Sequence, residues 1–247
     1  TARKSRELMS AVSLDGLKGT VRYLSSLPTR YTGYPGCQKA ADYIYEQMRG
    51  IGLQEVRREE FFVPVPVEKT AYLTVKGVNR KIKLHALYPN LVRTPQLPPQ
   101  GLDAPLIYSG GCSLREFNGK KVEGSICLAE FNSGNKWENV FRLGAKGVIF
   151  IEPDETLRGE VEAKFVSIPI DTPRYLIGRD ADYLVSLLNS QSNVQINVKC
   201  EMPWEKRLGT NIIGVVPGSN PQLKDQVVII EAYYDSKIGR ASCRERV

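Results

Sequence analysis

Histidine is nearly missing from this chain: His85 is its only one, in an alternating run (KIKLHAL) where it reads as an ordinary strand residue. Cysteine is sparse as well. Cys37, Cys112, Cys127, Cys200 and Cys243 form no C-x-x-C pair and no ligand-type spacing, which argues against a zinc ribbon or a thioredoxin-like site. Cys127, in an apolar strand-like run, and Cys37, on the apolar face of a helix, read as small buried hydrophobes. A disulfide between Cys112 and Cys200 stays open, so the cysteines do not reveal the compartment. No stretch approaches the roughly 20 apolar residues of a membrane helix. There is no signal peptide, but the chain starts at Thr1 rather than Met, which leaves a removed leader or anchor open. A glycine pair, Gly110 and Gly111, follows a strand without completing G-x-G-x-x-G, which argues against dinucleotide binding. The formal charge of +7 is scattered, with short basic runs only at 3–6 and 80–83. With no basic stripe and no interleaved aromatics, no nucleic-acid partner is expected.

What is present is ordinary globular material: 42% hydrophobic and 25% charged residues over 247 positions, enough for one large domain or two smaller ones. Residues 13–27 read as a helix with the apolar Leu17, Val21 and Leu24 on one face and Ser13 or Asp15 as its cap. TRYTGYPG at 29–36 is turn chemistry. Cys37, Ala41, Ile44 and Met48 then recur at spacings of four, three and four, an amphipathic helix from Pro35 to about Arg49, stopped by Gly50 and Gly52. Strands are expected at 53–63, 69–76 and 81–87, the last two joined by a hairpin at 77–79.

The prolines and glycine at Pro95, Pro98, Pro99, Gly101 and Pro105 mark an extended connector and a candidate domain boundary. Beyond it the pattern predicts strands at 105–108, 125–130, 147–151, 165–170 and 194–199. Helices are predicted at 137–143, capped at Gly144, and at 179–188, with Leu184, Leu187 and Leu188 inward. Trp137 and Phe141 stand one helical turn apart and read as core. A polar link at 203–207 precedes two β-branched segments, 211–216 and 226–232, separated by the turn-rich PGSNPQLK. The second, QVVIIEA, reads as a buried central strand that delivers the corner at 233–236 to a cleft, because open α/β sheets bind ligands at the carboxyl ends of their strands.

Three pieces together resemble one family, the co-catalytic zinc exopeptidases of the bacterial aminopeptidase, glutamate carboxypeptidase and transferrin receptor type. The opening LSSLPTRYTGYPGCQKAADYIYEQMRGIGL is similar to the family's entry helix pair with its R-x-T-G-x-P-G turn. The closing TNIIGVVPGSNPQLKDQVVIIEAYYDS resembles its N-V-I-G…P-G…V-V-I-x-A-H-Y-D-S strand pair. Between them GKKVEGSICLAEFNSGNKWENVFRLGAKGVIFIEP is similar to a protease-associated (PA) domain, which is found inserted in these peptidases.

The resemblance implies an α/β fold: a partial mixed-sheet zinc-peptidase fold interrupted by a β-rich α+β PA domain. Residues 1–87 and 206–236 then form the peptidase portion and 88–205 the insert. It further implies two zinc ions, a peptide substrate cleaved by metal-activated water, an extracytoplasmic setting and protein contacts through the PA domain. By position, Asp235 falls on the family aspartate that orients a zinc-bound imidazole, and Tyr233 falls where the family has the zinc-ligating histidine. A phenol with an ordinary pKa of about 10 must lose its proton before it competes for a metal. The family's other ligands would follow Ser236 and are absent here. The chain therefore reads as truncated, and the alternative function is a catalytically inactive peptidase-like ectodomain that serves as a binding or scaffold module. The last residues, KIGRASCRERV, continue no family element and match a translated sequencing adapter, so 238–247 are expected to be non-native. Without them 31 basic residues stand against 26 acidic ones, a formal charge of +5, and Cys243 disappears.

Overall fold

The structure is a computed structural model that describes residues 9–78, 80–87, 93–165 and 172–235. Ser236 and the tail 237–247 lie outside them. The chain divides into two compact units, one formed by Thr1–Val63 with Lys206–Gly239 and the other centred on Pro64–Glu205.

The second unit is built on an eight-stranded mixed sheet in the order β3-β2-β9-β5-β6-β7-β8-β4. Its strands are β2 (Thr70–Val75), β3 (Lys81–Lys83), β4 (His85–Ala86), β5 (Leu102–Gly110), β6 (Ile126–Glu130), β7 (Gly147–Ile151), β8 (Arg174–Ile177) and β9 (Val194–Glu201). Strands β5 to β8 run parallel, and the remaining pairings are antiparallel. The difference follows from sequence. ICLAE and GVIFI are continuous apolar runs, as a strand covered on both faces requires, whereas VQINVKCE alternates and buries every second residue. Leu73, Ile82, Leu128, Ile149 and Ile196 meet in one core, onto which Ala181 and Leu184 of a helix at Ala181–Ser190 pack.

This unit runs from Pro64 and takes in the proline-rich connector. The physical reason is the β2–β9 ladder, six register pairs from Thr70–Glu201 to Val75–Ile196, so the connector joins strands of one sheet. The strand expected at 81–87 is split at Leu84: β3 pairs with β2, and β4 crosses to β8, placing His85 opposite Leu176. The strand expected at 165–170 falls almost entirely outside the described residues. A helix at Arg158–Phe165 and the short strand β8 are elements that the sequence pattern does not reveal.

Trp137 is fully buried, edge-on to Phe141 at 5.2 Å and Phe150 at 5.9 Å, and its indole N–H donates to the Ala163 carbonyl at 3.0 Å. Beside it two buried cations are satisfied. The Lys164 ammonium donates to the Gly134 carbonyl (2.9 Å) and the Glu160 carboxylate (2.7 Å), and the Arg174 guanidinium stacks on Trp137 at 5.1 Å and donates to the Lys164 carbonyl. Cys37, Cys112, Cys127 and Cys200 are all buried free thiols, so Cys112 and Cys200 are not bridged.

In the first unit, α1 (Leu14–Ser26) is capped by Ser13, whose hydroxyl accepts from the Gly16 N–H at 3.1 Å. Its apolar stripe does not face inward: Leu17 and Val21 are exposed and no residue of α1 is buried. α2 (Pro35–Gly50) opens with Pro at its first turn and buries Gly36, Cys37, Ala40 and Ala41. The long strands β1 (Gln54–Pro66) and β10 (Trp204–Val215) pair as a two-stranded ribbon, and β10 absorbs the expected polar link at 203–207. Residues 226–232 form no strand; Val227, Val228, Ile229 and Ile230 are 79–94% exposed. Apolar β-branched character makes a strand only where a neighbour completes the ladder, and no described strand lies beside this one. Among the described residues no helix is long and apolar enough to cross a membrane.

Candidate functional site

The chemistry-bearing corner at 234–235 is held by the 29–36 turn, more than 200 residues earlier. Gly33 takes a φ of +83°, a conformation that favours glycine. Gly36 is fixed by space: a β-carbon there would lie 1.8 Å from the Thr29 carbonyl oxygen. This tight return aims two side chains at the corner. Arg30 donates through Nε to the Tyr234 carbonyl at 2.9 Å and through Nη1 to the Leu24 carbonyl at 2.7 Å. The Thr32 hydroxyl donates to Asp235 Oδ2 at 3.0 Å. From the other side the Tyr234 hydroxyl donates to the Thr210 carbonyl on β10.

Between these elements lies a cavity of about 270 Å³ lined by Tyr34, Cys37, Gln38, Arg207, Thr210 and Tyr234, among others. Its thiol and phenol walls are neutral near pH 7. Burial, reinforced by the Asp235 charge, raises the Cys37 thiol, and burial followed by the Cys37 and Asp235 charges pushes Tyr234 up to about 12. The Thr210 hydroxyl is buried and has no hydrogen-bond partner among the described residues.

Of the residues singled out from sequence, Asp235 is seated at this corner and Tyr233 is not: its side chain is 90% exposed. His85 belongs to the other unit and lies in β4. Among the described residues no group of three or more His, Cys, Asp and Glu side chains is placed to hold a metal ion. The donor set therefore does not fit a zinc centre: the phenol at the histidine position points to solvent, and the thiol nearest Asp235 is held protonated. Arg30, Thr32, Tyr234 and Thr210 carry the geometry of the corner, and the sequence pattern marks only the turn and strands in which they lie. The R-x-T-G-x-P-G spacing was the signal available for the first two.

The α/β fold with its PA-type insert is matched by comparison with known proteins. Residues 102–181 match the family model of the PA domain. A zinc aminopeptidase from Bacillus subtilis superposes with a TM-score of 0.56 at 24% identity, over 82% of this chain and 46% of that one. A peptidase M28 precursor from Shewanella amazonensis gives 0.53 at 16% identity, over 81% and 50%. An aminopeptidase from Aneurinibacillus sp. strain AM-1 gives 0.47 at 21% identity, over 85% and 50%. The chain thus spans about half the length of these structures. The described residues share the α/β fold of the Bacillus subtilis and Shewanella structures, and residues 102–181 match the PA domain, in line with the fold the sequence resemblance implies. No curated protein sequence matches.

Proposed function

We propose that this chain belongs to an aminopeptidase-like protein that acts on peptides outside the cytoplasm, its second unit serving as a PA domain that borders the substrate path or contacts other proteins. What supports this reading is the fold, shared with a zinc aminopeptidase over 82% of the chain; Asp235, which accepts from Thr32, is the residue to which the sequence resemblance assigns the imidazole-orienting role. The described residues supply no donor set for the two zinc ions that the resemblance implies, so no hydrolytic step is assigned to them.

A second reading, a non-catalytic peptide-binding or scaffold module, is favoured by one feature, the exposed Tyr233 in place of a ligating histidine. The discriminating experiment expresses the protein as its gene encodes it. Zinc content is measured by mass spectrometry, and hydrolysis of aminoacyl anilides is followed with and without a chelator, in the native protein and in Tyr233→His. Chelator-sensitive hydrolysis by the native protein establishes the peptidase. If zinc and activity are both absent and Tyr233→His restores neither, the peptidase reading fails and the binding module stands.

A further inference from the structure

We propose that the cavity at the amino end of α2 is a binding site for a small carboxylate-bearing ligand of amino-acid size. The proposal does not depend on hydrolysis. Four observations converge on it.

The first is the helix end itself. α2 is 16 residues long, its first turn has no acidic side chain, and its cap residue Tyr34 makes no side-chain capping bond. The positive end of the helix dipole therefore faces the cavity with no acidic side chain from the helix's own first turn against it, although the Asp235 charge reaches the same walls. The second is charge. Arg207 lines the cavity, and Arg30 stands behind the corner, where its guanidinium donates to two neutral carbonyls, those of Leu24 and Tyr234. The carboxylate close by is Asp235, which accepts from the Thr32 hydroxyl.

The third observation points to an occupant. Thr210 lines the cavity, is only 7% exposed, and its hydroxyl has no hydrogen-bond partner among the described residues. Buried hydroxyls are almost always paired, and a ligand oxygen would supply the missing acceptor. The fourth is shape. About 270 Å³ is roughly nine water volumes, too large for a lone ion and suited to a carboxylate with a short side chain resting against Tyr34 and Leu208. A helix amino terminus and an arginine take the carboxylate, Thr210 donates to it, and the aromatic and aliphatic wall holds the apolar part.

The test is titration of the full chain, followed by amide chemical shifts and calorimetry. The probes are N-acetyl-leucine, the tripeptide Gly-Gly-Leu, N-acetyl-leucinamide and inorganic phosphate. We expect saturable binding of N-acetyl-leucine with shifts at Gly36, Cys37 and Thr210, and at least tenfold weaker binding of the amide. Arg207→Gln should weaken binding about tenfold and Thr210→Val about fivefold, whereas Thr210→Ser, which keeps the hydroxyl, should restore it. Unchanged amide exchange in α2 verifies that the variants fold. Equal affinity for N-acetyl-leucine and Gly-Gly-Leu assigns the site to peptide carboxyl ends, and preference for N-acetyl-leucine assigns it to single amino acids; both support the proposal. It is overturned if the amide binds as well as the acid, if phosphate binds as tightly as N-acetyl-leucine, if both substitutions leave affinity unchanged, or if 10 mM probe gives no saturable shift. Because binding is read without turnover, an inactive protein that still binds N-acetyl-leucine separates this proposal from the peptidase reading.

Discussion

Replacing Gly36 with alanine tests whether the 29–36 turn is the clamp that the geometry describes. The added β-carbon would sit 1.8 Å from the Thr29 carbonyl oxygen and 2.9 Å from its carbon. A close carbon–oxygen contact needs about 3.3 Å, so turn and helix must separate by about 1.5 Å, and the obstacle is backbone that cannot swing aside. A shift of that size carries the Arg30 and Thr32 bonds, now 2.9 and 3.0 Å, beyond hydrogen-bonding range. Losing two bonds with charged partners, at about 1–1.5 kcal/mol each for a half-buried site, plus the overpacking strain, comes to about 3 kcal/mol. That is about a hundredfold in the opening equilibrium. Amide hydrogen exchange of α2 reads it directly, as a protection loss of about two decades for Cys37 to Ala41. Gly19→Ala is the control. It lies inside α1 with open space around its β-carbon, so alanine should stabilise that helix by about 0.5–1 kcal/mol and leave α2 unchanged. Protection in Gly36→Ala within threefold of the parent would refute the reasoning.

The second unit should lose stability in acid through Glu116. Its carboxyl is held below the ordinary 4.5 by the Ser113 hydroxyl, against the opposing effect of burial and with help from the Ser113 and Gly111 N–H groups. With the folded pKa below the unfolded one, this contribution is complete above about pH 4.5 and is lost as pH falls through the folded value. Glu116→Gln should flatten the acid limb of urea midpoints, and superimposable limbs would sink the idea. Ile230→Lys should lower light scattering on concentration while changing stability by no more than about 0.5 kcal/mol, because Ile230 is 94% exposed; a large loss of stability would mean that 226–232 is packed after all. Iodoacetamide at pH 8 should leave Cys37, Cys112, Cys127 and Cys200 unlabelled in the native chain, since burial raises all four thiols, Cys112 to about 11 and Cys127 and Cys200 to about 12. Rapid labelling of any of these, read by peptide mass, would contradict the packing.

The elements legible from sequence are those whose own residues decide them. ICLAE and GVIFI announce covered parallel strands, VQINVKCE announces a half-covered one, and Pro35 with the apolar positions after it announces α2. Two elements were silent for a physical reason. RYLI is four residues long, too short for any period to register. The helix RGEVEAKF buries Val161 and Lys164 but shows no apolar stripe. It is held by the Lys164–Glu160 pair and by Trp137 reaching the Ala163 carbonyl, and polar contacts of that kind leave no hydrophobic pattern. At the site, Asp235 and the TGYPG turn were each readable alone. Their meeting was not, because the Thr32–Asp235 bond spans 203 residues and no local rule encodes it.

The corner also separates two properties that the sequence had joined. The run VVII ahead of EAYYD reads as a buried strand whose end places Asp235, so strand and placement should stand or fall together. In the structure the run is exposed and unpaired with any described strand, yet Tyr234 and Asp235 remain in position. The tethers are Arg30 on the Tyr234 carbonyl, Thr32 on the Asp235 carboxylate and the Tyr234 hydroxyl on the Thr210 carbonyl. Three polar contacts from two other elements therefore position the corner without a ladder beneath it. The same arrangement explains why Tyr233 is left outside: none of those contacts reaches it, and its side chain is 90% exposed. A histidine substituted there inherits that exposure, so converting residue 233 alone cannot assemble a metal site unless further donors approach from the solvent side.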